Sequence, residues 1–227
     1  MRGTQITIKD IARELGISPS TVSRALKDHP DISLATRRKV QEYAEKYKYK
    51  PNAVALSLLQ SKTNVIGVII PELVHYFFSS VISGIEELAF ESGYQVMIFQ
   101  SNESDEREKA IIQAMITSRV DGILISLSKQ TRDFSHLANL EKMGIPIVFF
   151  DRACDEIPVH RVIIDDEEGA YKVVSHLILT GRTRIAHLAG PQNLQIGKNR
   201  LKGYIRASHQ AEVDFKAMTL AADTITR

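Results

Sequence analysis

The sequence has one cysteine, Cys154, so no internal disulfide can form, and a reducing cytoplasm is the expected setting. No apolar run approaches the roughly 18 residues of a membrane span. The opening residues MRGTQITIKD have neither the apolar core nor the small-residue cleavage site of a secretory signal, so no exported form is expected. The chain also lacks GxGxxG, a P-loop, GxSxG and any metal-spaced Cys/His set. Each of these patterns exists because a cofactor, a phosphate, a nucleophile or a metal ion needs those residues at that spacing. Their absence predicts no enzyme, no cofactor and no metal. The seven histidines are scattered, and His187, inside a strand pattern, reads as a satisfied core residue. The acidic run DDEEG, Asp165 to Gly169, lies at a strand-to-helix junction, where carboxylates favour a helix N-terminus.

A chain of 227 residues makes one large domain or two ordinary ones. Its hydrophobic fraction of 44% and charged fraction of 25% are those of a globular protein. The net charge of +2 hides an asymmetry. Residues 1–62 hold 12 Lys and Arg against 6 Asp and Glu, whereas the remainder holds 17 against 21. A basic head on an acidic body predicts a polyanion partner for the head.

The head reads as small helices. In TIKDIARELG, Thr7 caps a helix and Asp10 stands where a capping box needs a return acceptor. Ile8, Ile11, Ala12 and Leu15 form one apolar stripe, and Gly16 supplies the left-handed residue that ends the helix. In SPSTVSRAL, Ser18 is an N-cap and Pro19 suits the first helical position. Val22, Ala25 and Leu26 face inward, leaving Ser20, Thr21, Ser23 and Arg24 outside. Two helices joined by so tight a turn form a helix-turn-helix, whose second helix enters the DNA major groove. Small hydroxyl side chains let it approach base edges. Arg24 has the reach for guanine O6 and N7, while Ser18 and its hydroxyl neighbours suit phosphates. A third helix starts at Ser33, with Val40, Tyr43, Ala44 and Tyr47 on one face. Arg37, Arg38 and Lys39 are expected in solvent or against phosphate. Pro51 and Asn52 then introduce AVALSLLQ, two helical turns too short to be stable alone.

The segments TIKDIARELGISPSTVSRALKDHPDISLATRRKV and YKPNAVALSLLQSKTNVIGVIIP resemble the DNA-binding headpiece and hinge of the LacI/GalR family of bacterial repressors. The resemblance implies double-stranded operator DNA as partner and, in the full-length form, a homodimer. It implies that Pro19 and Ser20 read bases and that Leu58 wedges between base steps in the minor groove. Thr7, Ser18, Thr21, Ser23, Arg24, Ser33, Thr36, Tyr49, Asn52 and Ala55 complete the expected DNA-contacting set. Leu59 stands where relatives often carry lysine.

From Val65 onward, VIGVII, YQVMIF, DGILIS, PIVFF, VIID and IAHLAG are short apolar runs. Helical patterns at 80–92, 105–118, 134–143 and 169–179 separate most of them, which predicts βαβ units and a buried parallel sheet. The expected class is α/β: an all-α headpiece and hinge helix, then a periplasmic-binding-protein-like body incomplete at its C-terminus. The divisions expected are 1–50 for the headpiece, 51–62 for the hinge, 63–160 for a first lobe and 161–227 for a partial second lobe. Ligands in such sheets sit at strand carboxyl ends. Phe77 and Phe78, placed in the loop after the first strand, and Asp151, ending a strand, are candidate effector contacts. Arg200 matches the arginine with which the family contacts its effector, and the resemblance implies a sugar or sugar derivative. Apolar Leu194 and Ile196 argue against a purine. The leading expectation is a cytoplasmic DNA-binding regulator that senses a small metabolite. The alternatives are a transporter's solute-binding protein, which shares the body fold, and an enzyme built on the α/β body.

Overall fold

The computed structural model describes residues 6–50 and 62–211 in full and residues 215–219 as backbone. It divides into two compact units, residues 1–63 and 64–227.

The first unit holds α1 (Ile8–Leu15), α2 (Pro19–Leu26) and α3 (Leu34–Lys46). Each starts at a hydroxyl cap. Thr7 Oγ1 accepts from the Asp10 amide at 3.3 Å, while Asp10 Oδ2 accepts from the Thr7 amide at 3.0 Å, completing the capping box. These bonds to Thr7 hold the Asp10 carboxyl below its usual range. Gly16 sits at φ 63°, and its turn aims Ile17 back at the stripe. Ile11, Ala12, Val22, Ala25, Val40 and Ala44 form the buried core. Tyr47, expected inside, is half exposed just past α3, tilted against Tyr43 at 4.5 Å.

The second unit begins with β1 (Val65–Ile70), α4 (Tyr76–Glu91), β2 (Gln95–Gln100), α5 (Asp105–Thr117) and β3 (Gly122–Ile125). It continues through α6 (Ser135–Lys142), β4 (Ile147–Phe150), β5 (His160–Val162) and α7 (Asp166–Leu179). It ends in β6 (Ile185–Ala189), α8 (Gln195–Gln210) and β7 (Phe215–Thr219). Five parallel strands form one sheet in the order β2-β1-β3-β4-β5. Both faces are covered, which is why the runs read as continuous apolar stretches rather than as alternation. Ile69, Ile123, Ile125 and Phe149 pack with Ile112 and Met115 of α5 and Leu137 and Leu140 of α6. Val68, Ile70 and Phe150 pack on the other face with Phe78 and Ile82 of α4. Strands β6 and β7 form a separate parallel pair, and α7, α8 and β6 share a core around Val174, Tyr204 and Ala207.

Three local expectations need correction. Helix α4 starts at Tyr76, so Phe77 and Phe78 lie in its first turn and not in a loop; His75 opens it without a side-chain cap to signal the start. The VIID segment is not one strand. Pairing with β4 stops at Val162, and Asp165 caps α7 by accepting from the Glu168 amide at 2.9 Å. Helix α7 therefore begins at Asp166, three residues before Gly169, and β5 carries the five-stranded sheet two residues past the division drawn at 160.

Candidate functional site

Helix α2 presents the first candidate surface. Ser18, Pro19, Ser20 and Arg24 are exposed, and Thr21 and Ser23 are half-buried. Ser18 Oγ accepts from the Thr21 amide at 3.1 Å and lies 2.7 Å from Ser20 Oγ and 2.8 Å from Thr21 Oγ1. The three hydroxyls thus form one cluster at the positive end of the helix, where an anion is favoured. Among the described residues, Arg24 is neither ion-paired nor hydrogen-bonded through its side chain, so its guanidinium is free for a partner. Ser33 Oγ accepts from the Thr36 amide at 3.2 Å, placing a second hydroxyl pair at the start of α3. Thr7 is committed to its capping box, and Tyr49 packs half-buried against the core. Arg37 departs from the expectation of a solvated or phosphate-facing cation. Its Nε donates to the Ile32 carbonyl at 3.0 Å, tying the loop before α3. Asn52, Ala55, Leu58 and Leu59 lie outside the described residues.

The second candidate lies in the larger unit, beyond the carboxyl end of β4, the side of a parallel sheet on which ligands bind. A cavity of about 330 Å³ is lined there by Asp151, Arg152, His187, Leu194, Ile196 and Arg200, among others. Asp151, at φ 57°, follows β4 directly. Its Oδ2 accepts from Ser126 Oγ at 3.3 Å and lies 3.8 Å from Arg152 Nε. Burial pushes the Asp151 carboxyl above its usual value, against the pull of Arg152, Ser126 and Arg200. Burial, and then Arg200, push the His187 imidazole down, so it stays neutral. Its ring stacks on Tyr204 at 5.1 Å. Arg200, from α8, donates through Nε to Asp166 Oδ1 at 2.8 Å, which fixes the guanidinium at the cavity wall.

A second cavity of about 320 Å³ adjoins it at Leu194 and is lined by Ser128, Thr131, Arg132, Asn193 and Lys198, among others. Cys154 also lines it, with its thiol pushed up to about 11 by burial, which leaves it protonated and inert.

One donor atom each of Asp105, Glu108 and His136 lie within 4.8 Å of one another. The trio's fit to a cation is poor. Glu108 Oε2 accepts from the Ser128 amide at 2.8 Å, and Oε1 accepts from Thr131 Oγ1 at 3.0 Å and faces His136 Nε2 at 3.2 Å. Lys109 Nζ already sits 2.7 Å from Asp105 Oδ2. The cluster ties down the loop after β3.

Two family models match. Residues 7–52 fit bacterial regulatory proteins of the lacI family, and residues 63–227 fit periplasmic binding proteins and the sugar binding domain of the LacI family. The repressor PurR of Vibrio campbellii is 32% identical, and the alignment covers 97% of this chain and 69% of that protein. The chain belongs to the LacI family. Catabolite control protein A of Priestia megaterium is 34% identical over 89% of this chain and 60% of its own length. This chain therefore spans about three fifths of the length of relatives it matches. The lac repressor dimer bound to operator and an anti-inducer superposes with a TM-score of 0.76 at 27% identity, covering 94% of this chain and 64% of that one.

Within this LacI-family body, the cavity gathers Asp151 and Arg200, which are 49 residues apart in sequence, but not the two phenylalanines. Phe78 is only 4% exposed and meets Phe150 edge-on at 6.5 Å, so its ring belongs to the core and is not available to stack on a ligand. Phe77 is half exposed and outside the cavity lining. Sequence reasoning missed Ser126, Arg152, Asp166 and His187. Asp166 carried a signal within DDEEG, since a helix-opening carboxylate has a free oxygen to offer. Arg152, next to Asp151 in FFDR, carried another.

Proposed function

We propose that this chain is the DNA-reading and effector-sensing portion of a transcriptional regulator, working as a repressor and not as an enzyme. The carrying observation is the exposed α2 surface, with its hydroxyl cluster and an Arg24 side chain that has no hydrogen-bond or ion-pair partner among the described residues. Pro19, Ser20 and Arg24 read base edges; Ser18, Thr21, Ser23, Ser33 and Thr36 contact phosphates. Thr7, Tyr49, Asn52, Ala55 and Leu58 complete the DNA-contacting set. The divisions proposed with it are headpiece 1–50, hinge 51–62, a first lobe from 63 that keeps β5 through Val162, and a second lobe after it.

The effector is a small sugar or sugar derivative held between Asp151 and Arg200. A carboxylate and a positioned guanidinium suit vicinal hydroxyls, and the cavity of about 330 Å³ falls within the usual size of small-molecule sites. The regulator acts as a homodimer in the cytoplasm, since two headpieces must sit one half-site apart on the operator. Val74, Tyr76 and Phe90 are large apolar side chains more than 80% exposed, a surface suited to a second copy. The test is a gel-shift screen across promoter fragments, with and without neutral sugars. Binding to a defined fragment that a sugar modulates is expected; binding with no sequence preference would overturn the assignment.

A further inference from the structure

The loop after β3 is held from three directions by side chains far away in sequence. Glu103 Oε2 accepts from the Lys129 amide at 2.8 Å, and Glu108 Oε2 accepts from the Ser128 amide at 2.8 Å. Arg152 Nη1 meets both oxygens of Glu103, at 2.9 and 2.8 Å, and donates to the Leu127 carbonyl at 3.3 Å. This anchoring leaves the Lys129 carbonyl pointing out to accept from Asn193 Nδ2 at 2.7 Å. Asn193 belongs to the turn between β6 and α8, the helix that carries Arg200. It lines the second cavity, and its neighbour Leu194 lines both.

A continuous set of polar contacts therefore runs from the Asp151 cavity to the seam between the lobes. Asp151 lies against Arg152, Arg152 grips Glu103, Glu103 holds residue 129, and residue 129 takes the hydrogen bond from Asn193. We propose that Asn193 and Lys129 form a latch between the lobes and that Glu103 is the positioning residue coupling this latch to the Asp151 cavity. The proposal deepens the regulatory reading, on which it rests for the claim that a ligand occupies that cavity. A ligand that draws on Asp151 or Arg152 changes the support of residue 129 through Glu103. A ligand that pushes on the 190–195 turn changes the donor side of the same bond. Glu103 has the geometry for this role: it sits at φ 60°, 13% exposed, with both carboxylate oxygens accepting from Arg152 Nη1. Arg132, on the same loop, also donates to the Lys129 carbonyl, through Nη1 at 2.9 Å, so the latch's acceptor is shared between Asn193 and Arg132, while Glu108 of α5 holds Ser128.

The test needs neither DNA nor effector, so its failure is distinct from failure of the regulatory reading. Spin labels are placed on Lys142→Cys in α6 and Lys202→Cys in α8, both exposed. The native Cys154 is buried and escapes labelling. Electron–electron resonance then gives the interlobe distance distribution of the full chain. Asn193→Ala is expected to broaden it, and Glu103→Gln and Arg152→Lys to broaden it likewise with Asn193 intact. Amide exchange supplies the second readout. In Glu103→Gln the Lys129 amide should exchange about tenfold faster, the scale of one lost charged hydrogen bond, while the Ser128 amide on Glu108 keeps its protection. An unchanged distribution in Asn193→Ala overturns the latch. Broadening in Asn193→Ala but in neither Glu103→Gln nor Arg152→Lys overturns the coupling role, as does equal loss of protection at Ser128 and Lys129.

Discussion

Replacing Gly203 by alanine should cost stability and also disturb the cavity. Gly203 lies where α8 crosses α7, and a Cβ there would stand 2.1 Å from the Glu167 carbonyl oxygen and 2.8 Å from the Tyr171 amide nitrogen. Ordinary contact begins at 3.4 Å, so one helix must retreat by about 1.3 Å, the difference of the two distances. The obstruction is backbone, which no rotamer change relieves. Overpacking of this kind costs about 1–3 kcal/mol, against about 1 kcal/mol gained from alanine's better helix propensity. The net expectation is a loss of about 0–2 kcal/mol, or more where the displaced helix also gives up contacts. Gly84→Ala is the control, since Gly84 is inside α4 with nothing within 4 Å of its would-be Cβ, and it should gain about 0.5–1 kcal/mol. Urea unfolding midpoints of the three proteins decide the matter. The retreat also separates Arg200 on α8 from Asp166 on α7, whose 2.8 Å bond orients the guanidinium at the cavity wall. Gly203→Ala should therefore lose the response to effector before it loses DNA binding. A midpoint raised as much as that of Gly84→Ala would refute the packing argument.

Arg24→Ala should weaken operator binding roughly tenfold to a hundredfold and relax preference at one base position per half-site, as read by binding-site selection. Phe78→Ala should lose about 3–5 kcal/mol of stability as a core deletion, whereas Phe77→Ala, half exposed, should stay within about 0.5 kcal/mol in the same denaturation assay. Asp151→Asn should stabilise the protein at pH 7. Burial raises the carboxyl above its ordinary 3.8, so the folded state holds the proton more tightly than the unfolded chain, and the cost of the charged form builds as the pH rises above 3.8 and is complete once it exceeds the folded value. The gain should shrink as the pH falls from 7 toward 3.8, and a pH-independent gain would trace it instead to asparagine's tolerance of the left-handed backbone at φ 57°.

The headpiece was legible because its signals are local. Thr7, Ser18 and Ser33 each cap the helix that follows within three residues, and Gly16 ends the one before. The sheet was legible as a pattern of runs, although strand order and the β6–β7 pair depend on pairing that no window of sequence contains. The ends of elements were hidden where propensity and context disagree: Tyr76, Phe77 and Phe78 look like strand residues, yet α4 takes them because Phe78 fills the space beside Phe150. Asp151 was legible from its place at the carboxyl end of a strand and Arg200 through the resemblance, but their supports were not. Glu103 and Arg152 are separated by 49 residues, and nothing in either neighbourhood specifies the other. Arg37 illustrates the converse, a cation that reads as solvent-facing yet is spent on the Ile32 carbonyl.

The division of labour within α2 bears on how such a protein diverges. Val22 and Ala25 hold the helix in place, and Ser18 starts it. Pro19, Ser20 and Arg24 are exposed, and Arg24 contributes nothing to the headpiece core. Substitutions at Ser20 and Arg24 are therefore nearly free of folding consequences, so a duplicated copy can drift to a new operator in single steps without passing through an unstable intermediate. Ser18 lacks that freedom, because a residue there that cannot cap would remove the helix start along with the proposed phosphate contact. In a set of paralogues the outward positions should vary with operator sequence, while position 18 stays a capping residue.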